Sequence, residues 1–529
     1  MQARVGRLLH KQGVVYALAF LLATAAFSAA WAPFAPVRLF DFDASNFALA
    51  LDSFQPRAHQ PQPPGYPLYV GLTNLIHFVV SSLSSADIAI TFLVAGILGS
   101  AAAVVMLGIL GYRMFGLRTG ICAALLLATN PILWQTAMSD QVRIYIAVIS
   151  IGVALVVWPG WQGTMTPVRF TAAGFALGVL TGFRPEMLVS MAPLAMACAF
   201  RSRLKFRYYL LSAVGVAAGM APWLLFLLIR VGGVSGFLFM MKTYSTEQAG
   251  NSSVLFGASW MAAWRMFASG LWWLSLGLVA WVPALLFIRP SKAPRYHDGQ
   301  WSFLLIWFGS LFAFSIAIHI AASGHALGFI PVVCIVGGWV LSLVGDSYGR
   351  VAMCICATAA LSLNVYFFFK PYASHVREAS YPVVDSITSV QEAALDRIDA
   401  LIPRGPVFLV SDDSWVRWRI LQYYYPENAL LYIPGPGSPV GTRLPVWLIR
   451  YKMRVRDFDA QSELPIPGCG TIVWLVNWRY RQDLLALPGV DVENNVISFP
   501  AQPGMKFKIG RYRLATSDKM CPASNTLPR

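Results

Sequence analysis

The chain is 529 residues long, with 57% hydrophobic residues, 12% charged residues and a formal net charge of +16. Charged residues make up about 25% of a typical soluble domain, so this composition excludes an ordinary soluble protein. The apolar runs are long and continuous, unlike the alternating segments of about ten residues in a membrane β-barrel, and they predict a polytopic α-helical membrane protein.

Eleven apolar segments are candidate spanning helices, and most reach the roughly 20 residues that cross the hydrocarbon. The first has a basic start, so it predicts either a cleaved signal peptide or, because its apolar run is long, an uncleaved anchor. The fifth and sixth are short and joined by Gly-Phe-Arg-Pro-Glu, which predicts a tight helical hairpin. The segments are residues 13–35, 87–111, 119–138, 142–158, 170–184, 187–200, 208–231, 262–288, 301–320, 326–345 and 351–369.

Basic residues indicate how these spans are oriented. If the N-terminus lies in the cytoplasm, the inner segments hold fourteen Lys and Arg residues and the outer ones hold seven. This bias agrees with the positive-inside rule and explains the net charge without a nucleic-acid partner. If the apolar stretch 66–83 crossed the membrane, every later loop would change sides and the basic loops would lie outside. We therefore expect this stretch to lie along the membrane interface. The predicted location is the plasma (inner) membrane.

Charge density divides the chain near Lys370-Pro371. Residues 1–369 hold 21 Lys and Arg but nine Asp and Glu, whereas residues 370–529 hold 19 and 15. We therefore predict a transmembrane domain over 1–369, with a first outer loop at 36–86, and a soluble extracytoplasmic domain over 370–529.

The soluble part combines helical and strand-like segments. A helix is predicted at 385–402, strand-like runs at 407–411 and 472–476, and a helical WVRWRILQYY between the two strands. This alternation predicts a small α/β domain. The seven cysteines show no metal-ligand spacing, and Cys469 and Cys521 would be able to pair if this part is exported.

The acidic residues of the membrane part lie mostly at predicted outer helix ends. A carboxylate at membrane depth is costly, so each retained one is a functional candidate. A transporter would place such groups near the bilayer midplane within interrupted helices, so this arrangement favours chemistry at the outer interface. Six of the nine acids share this face: Asp41, Asp43, Asp52, Asp140, Glu186 and Glu247.

The first outer loop holds three of these acids and ends in the proline-rich HQPQPPGYPLY of residues 59–69. Its DASNFALAL segment predicts an amphipathic helix with Phe47, Ala50 and Leu51 on one face. Asp43 is then either the helix cap or a functional carboxylate. The proline segment is either a rigid polyproline connector or part of a site.

These motifs resemble the GT-C superfamily of membrane glycosyltransferases, particularly its protein O-mannosyltransferase-like branch. The family pattern is D-x-x-E-F, followed about fifteen residues later by H-P-P-G-Y-P-L-Y. The match here is DASNF at 43–47, then His59 and PPGYPLY at 63–69, with a second landmark in WQTAMSD at 134–140. Asn46 stands where the family has Glu, and Gln-Pro-Gln separates His59 from Pro63. The motifs cover about the first 190 residues.

The resemblance implies an inverting glycosyltransferase, a hexosyl- or pentosyltransferase, that takes its sugar from a polyprenyl-phosphate donor at the outer face. Asp43 would act as the base towards the acceptor hydroxyl, with Asp140 as second carboxylate and Asp41 as the rival base. The leaving phosphate needs cationic or hydrogen-bonding partners. Candidates for binding the donor are Arg57, His59, Arg184 and His325, together with Tyr66 and Tyr69.

The partners implied are the lipid-linked sugar, membrane lipids and a glycan, lipid or protein acceptor; neither a cofactor nor a divalent metal is expected. Each basic candidate also has a structural alternative. Arg184 would pair with Glu186 or cap the hairpin, His325 would be satisfied at the interface, and Arg57 would anchor the loop there. Two other classes of function stay open: a lipid or sugar transporter, and an O-antigen-type polymerase or ligase, whose outer loops centre on late arginine and histidine residues.

Overall fold

The computed structural model describes residues 2–139, 141–249, 253–288, 299–318, 322–411, 416–426, 428–432, 463–465, 470–475, 485, 489–493, 496–501, 506–508 and 513–515. Packing divides the chain into two units. The first consists of Met1–Val37 and Pro63–Val384, and the second of Arg38–Gln62 and Asp385–Arg529.

The described part of the chain is mainly helical. Its α-helices, in chain order, are α1 (Gln2–Trp31), α2 (Phe42–Asp52), α3 (Pro67–Leu83), α4 (Ile88–Phe115), α5 (Leu117–Ala128), α6 (Pro131–Ser139), α7 (Ile144–Trp161), α8 (Pro167–Leu180), α9 (Met187–Arg201), α10 (Phe206–Val231), α11 (Gly233–Ala249), α12 (Trp260–Leu278), α13 (Gly299–Ile318), α14 (Ile330–Tyr348), α15 (Arg350–Phe369), α16 (Tyr381–Leu401) and α17 (Trp418–Tyr424).

The first unit is a bundle of apolar helices. Among the described residues, seven helices are long and apolar enough to cross a membrane, namely α1, α4, α7, α10, α13, α14 and α15. The pair α5–α6 is a further candidate, and α3, α8 and α9 are shorter apolar helices. Each predicted span overlaps a helix or the α5–α6 pair, but three of the eleven, at α8, α9 and α12, are not among the described helices long and apolar enough to cross. The chain is a multi-pass helical membrane protein. The interfacial position of α3 stays a prediction.

The predicted span 119–138 is broken between α5 and α6, which meet at a bend of 48°. Pro131 has no N–H to continue a helix, so α6 starts afresh at this residue. The Asn130 side chain stabilises the break: its Oδ1 accepts from Ile132 N (3.0 Å) and its Nδ2 donates to Leu276 O (3.1 Å). Because of this bend, α6, which carries Gln135 and Ser139, runs in a different direction from α5.

Helices α8 and α10 pack closely through glycines spaced four residues apart on both helices. A Cβ at Gly174 or Gly178 would overlap backbone oxygens of α10, and one at Gly215 or Gly219 would overlap those of α8. Small residues at this spacing let membrane helices approach to backbone contact. The close packing fixes the turn that follows α8, in which Arg184 lies.

Connecting segments meet at the two ends of the bundle. At one end Arg118 pairs with Asp346 (2.8 Å) and Arg201 Nε donates to Trp161 O (2.8 Å). The other end contains the turn after α8, the start of α7, and two 3₁₀ helices, Ser323–Gly328 and Ser374–Ala379. Candidate functional residues of this unit lie at this second end.

The second unit combines the loop 38–62 with an α/β domain. Its strands are β1 (Val407–Ser411), β2 (Ala429–Tyr432), β3 (Glu463–Pro465), β4 (Gly470–Leu475), β5 (Asp491–Glu493), β6 (Val496–Ala501), β7 (Lys506–Lys508) and β8 (Arg513–Ala515). One sheet has the order β2-β1-β4-β6-β5, with β1 parallel to β2 and β4, and the other has the order β3-β7-β8.

The core of this unit lies between the sheet and two helices. Apolar side chains of α16 and α17, including Leu395, Ile398 and Leu421, pack with Leu409 and Val473 of the sheet. The predicted α/β domain is therefore confirmed, and its helix and strand positions agree within a few residues. Cys469 and Cys521, the predicted disulfide, lie outside the described residues.

Candidate functional site

The acid-bearing loop begins with Asp41 and Asp43 on either side of the first residue of α2. Asp41 is the N-cap: its backbone is extended (φ −137°), and its Oδ1 accepts from Ala44 N (2.8 Å). The alternative that Asp43 caps this helix is therefore wrong, because the helix starts one residue earlier. Asp43 lies half-buried in the first turn, where the N-terminal dipole favours a carboxylate.

His59 lies buried in the same loop, with an exposed fraction of 5%. Its backbone is left-handed (φ 54°), a conformation that costs a non-glycine residue about 1–2 kcal/mol. Burial, and secondarily the nearby Arg419 guanidinium, lower the pKa of His59 to about 3. The ring is thus neutral at pH 7, and it can serve a phosphate only as a hydrogen-bond donor.

This burial predicts a pH dependence of stability. Below pH 6.5 the unfolded chain protonates His59 whereas the folded chain does not, so the free energy of unfolding falls as the pH drops. The loss is about 2–3 kcal/mol over two pH units. In His59→Asn, thermal unfolding midpoints in detergent should fall less between pH 7 and 4.5 than in the wild type. The exposed His375 provides the control variant; equal losses in wild type and His59→Asn would contradict the assignment.

Arg184 lies in the turn between α8 and α9, and its exposed fraction is 4%. Its guanidinium covers the Tyr66 ring at 5.2 Å, and its Nε lies 2.8 Å from Glu186 Oε1. Tyr66, like His59, has a left-handed backbone (φ 44°). The structure thus joins two predicted site residues, Tyr66 and Arg184, and also the predicted partner Glu186.

The residues after Tyr66 attach to the same turn. Leu68 N donates to Gly182 O (3.1 Å), at the start of α3. Tyr69 is fully buried and packs edge-to-face on Tyr145, which in turn stacks on Phe183 at 4.9 Å. The PGYPLY segment is therefore packed against the turn between α8 and α9 and against the start of α7.

A second polar group lies at this end of the bundle, around the start of the 3₁₀ helix Ser323–Gly328. Ser323 Oγ donates to Gln135 Oε1 (3.0 Å), and Ser323 N contacts Glu378 Oε1 (3.4 Å). Gly324 lies directly against the side chain of Arg143, since a Cβ there would be 2.9 Å from Arg143 Cβ. Glu378 is solvent-exposed, yet partial desolvation raises its pKa against the opposing effects of Ser323 and Arg143.

The remaining predicted residues are placed as follows. His325 lies half-buried beside this polar group, with Nδ1 3.2 Å from Ala322 O. Arg57 is exposed in a short 3₁₀ helix, Pro56–Ala58. Asp140 lies outside the described residues. Asp41, Asp43, Arg57 and His59 belong to the second unit, and Tyr66, Tyr69, Arg184 and His325 to the first.

Three charged residues were not among the sequence candidates. Glu378 lies beyond the predicted domain boundary, and Arg143 was counted only as a positive charge of an outer loop. Arg419 is buried in α17, at 1% exposure. Its position inside the apolar, aromatic run WVRWRILQYY was a usable signal, because a charge within a helix that packs on a core needs partners. Within the described ranges, no three His, Cys, Asp or Glu side chains are grouped to hold a metal ion.

The fold is similar to that of two solved ArnT structures. The crystal structure of ArnT from Cupriavidus metallidurans bound to undecaprenyl phosphate matches 93% of this chain and 98% of its own, with 13% identity and a TM-score of 0.58. Its apo form matches over the same shares with 12% identity and a TM-score of 0.58. At these identities the likeness establishes the fold alone.

A third solved structure, the oligosaccharyltransferase of Archaeoglobus fulgidus in complex with Zn and sulfate, covers 66% of this chain and 53% of its own. Its identity is 15% and its TM-score is 0.40. No protein-family model and no curated protein matches the sequence.

Proposed function

We propose that this protein is an inverting glycosyltransferase that moves a sugar from a polyprenyl-phosphate donor to an acceptor hydroxyl at the extracytoplasmic face of the membrane. The observation that carries the proposal is the ArnT-like fold over 93% of the chain, since that ArnT structure binds undecaprenyl phosphate. The motif around Asp43, on the first loop, supports the same reaction class.

In the proposed reaction the acceptor oxygen attacks the anomeric carbon while the bond from that carbon to the phosphate oxygen breaks. Asp43 accepts the acceptor proton, and the polyprenyl phosphate leaves with the bonding electron pair. Since Asp41 is engaged as a helix cap, we assign the base to Asp43 and not to Asp41. Asp140 is retained as the proposed second carboxylate.

Stabilisation of the leaving phosphate is assigned to Arg184, with Tyr66 holding the guanidinium in place. A buried arginine presents a planar set of donors that suits phosphate oxygens. Arg57 and His325 are proposed as secondary contacts, and a neutral His59 would contribute only a hydrogen bond. Glu378, which is accessible and has a raised pKa, is a further carboxyl near Arg143.

The proposal is tested by comparing glycans from cells with and without the gene, using mass spectrometry to identify the missing sugar and acceptor. Transfer is then reconstituted from the polyprenyl-phosphate form of that sugar, with purified protein in the presence of EDTA. We expect transfer with inverted anomeric configuration. Unchanged glycans together with no transfer from any polyprenyl-phosphate sugar would refute the proposed function.

The proposed orientation places the N-terminus in the cytoplasm and residues 370–529 outside it. In a cysteine-free background, Ala400→Cys on the exposed end of α16 should react with a membrane-impermeant maleimide in intact spheroplasts. Lys205→Cys, in an exposed segment predicted to be cytoplasmic, should react only after lysis. The reverse pattern would invert the orientation.

A further inference from the structure

The buried Arg419 has its partners mainly in the first loop, far from it in sequence. At 1% exposure it is among the largest fully buried side chains of the described part of the chain. A guanidinium carries five N–H donors, and a buried one is tolerated only when those donors are paired. Its partners therefore indicate what this residue holds.

Three of these partners belong to the loop 38–62. Nε donates to Asn46 Oδ1 (2.7 Å), and Nη2 donates to Ala58 O (2.5 Å) and His59 O (3.1 Å). Nη1 donates to Gln422 Oε1 of its own helix (2.6 Å). One side chain thus joins the middle of α2 to the end of the short 3₁₀ helix Pro56–Ala58.

Further contacts attach the start of the loop to α16 and α17. Arg38 pairs with Asp399 of α16 (2.8 Å), and Tyr424 Oη accepts from Leu39 N (2.9 Å). Gln391 Nε2 donates to Phe40 O (3.1 Å), and the Phe42 ring packs edge-to-face on Trp418 at 5.5 Å. The loop is therefore an integral part of the α/β domain.

We infer that Arg419 is a positioning residue for Asp43, and that the α/β domain serves to hold the acid-bearing helix in its reactive place. This inference rests on the proposed function. Asn46 follows Asp43 by three residues, so the two occupy neighbouring positions on α2. Because a short helix moves as a rigid body, releasing Asn46 displaces the Asp43 carboxylate. A displacement of about 1 Å can cost about 100-fold in rate.

The test compares Arg419→Lys with a control, Arg417→Lys, which changes an exposed arginine at the start of the same helix. Lysine keeps the charge, but its single ammonium cannot reach both Asn46 and the 58–59 carbonyls in the fork that Arg419 makes. We expect kcat to fall about 10- to 100-fold with the donor KM within about twofold of wild type, and the control to retain activity. Wild-type kcat in Arg419→Lys would overturn the inference.

Amide hydrogen exchange gives a readout that needs no turnover. In Arg419→Lys, peptides covering 42–59 should exchange faster than in wild type, while peptides of α4 and α7 remain unchanged. Unchanged exchange at 42–59 would overturn the inference. Failure of the proposed function differs from both outcomes, because then the wild type itself would show no transfer while the exchange result stands.

Asn46→Leu is the second variant. It removes the oxygen that accepts the Arg419 Nε–H and leaves the other hydrogen-bond partners of Arg419 unchanged. We expect its kcat to fall with that of Arg419→Lys, and the double variant to lose little more than the more affected single variant, since both act through one contact. Fully additive losses would mean that the two residues act separately and would overturn the inference.

Discussion

Asp43→Asn should reduce sugar transfer by about 10²- to 10⁴-fold, the range typical for loss of a general base. The amide is nearly isosteric with the carboxylate, so the fold of α2 should persist, but it cannot accept the acceptor proton. We do not expect Asp41 to substitute, because its carboxylate caps α2 by accepting the Ala44 N–H. The measurement is the initial rate of transfer with purified protein, normalised to the amount of folded protein.

The matched control is Asp52→Asn, which removes an exposed carboxylate at the other end of the same helix. It should leave kcat and the thermal unfolding midpoint close to wild type. Binding of undecaprenyl phosphate to Asp43→Asn should persist, since the base acts on the acceptor and not on the lipid phosphate. Turnover of Asp43→Asn close to that of wild type would remove Asp43 from the mechanism.

Asn46, where the resembling family has Glu, has a structural explanation in this chain. Its side chain is fully buried, and its Oδ1 receives Arg419 Nε–H. The Asn46 side chain therefore ties α2 to α17. In the proposed mechanism, the base of this loop remains Asp43.

Much of the fold follows from local sequence patterns. Spanning helices require long apolar runs, and the central strands of the α/β domain are short runs rich in Val, Ile and other apolar residues. The capping residue was missed because Asp41 and Asp43 each precede a residue that can begin the helix. Only the backbone conformation shows which aspartate receives the N–H.

The packing of the first loop could not be predicted from such patterns. The contact between Arg419 and Asn46 joins residues 373 positions apart, and charge density divides the chain near Lys370 without reporting this pairing. The pairing of Tyr66 with Arg184 is equally non-local. In both cases the sequence shows an arginine next to an aromatic residue, but it does not show which distant residue the arginine contacts.

The second large effect is expected at Arg184. Arg184→Gln should weaken the affinity for undecaprenyl phosphate by about 10- to 150-fold. This corresponds to the loss of a hydrogen bond to a charged group, worth about 1.5–3 kcal/mol. Purified protein in detergent is titrated with undecaprenyl phosphate, and binding is followed as a rise in the unfolding midpoint. Arg184→Lys retains a point charge but not the planar fork, so we expect an intermediate affinity.

Glu186→Gln separates phosphate binding from a purely structural pairing. If Arg184 serves only to pair with Glu186 (2.8 Å), both substitutions should lower the unfolding midpoint alike and leave lipid affinity unchanged. If Arg184 binds the phosphate, Glu186→Gln should preserve or strengthen that affinity, because it removes a competing carboxylate. Arg230→Gln, at an exposed arginine near the end of α10, controls for loss of one positive charge. Equal lipid affinity in wild type and Arg184→Gln would refute the assignment, because a guanidinium that contacts the phosphate cannot be replaced without loss.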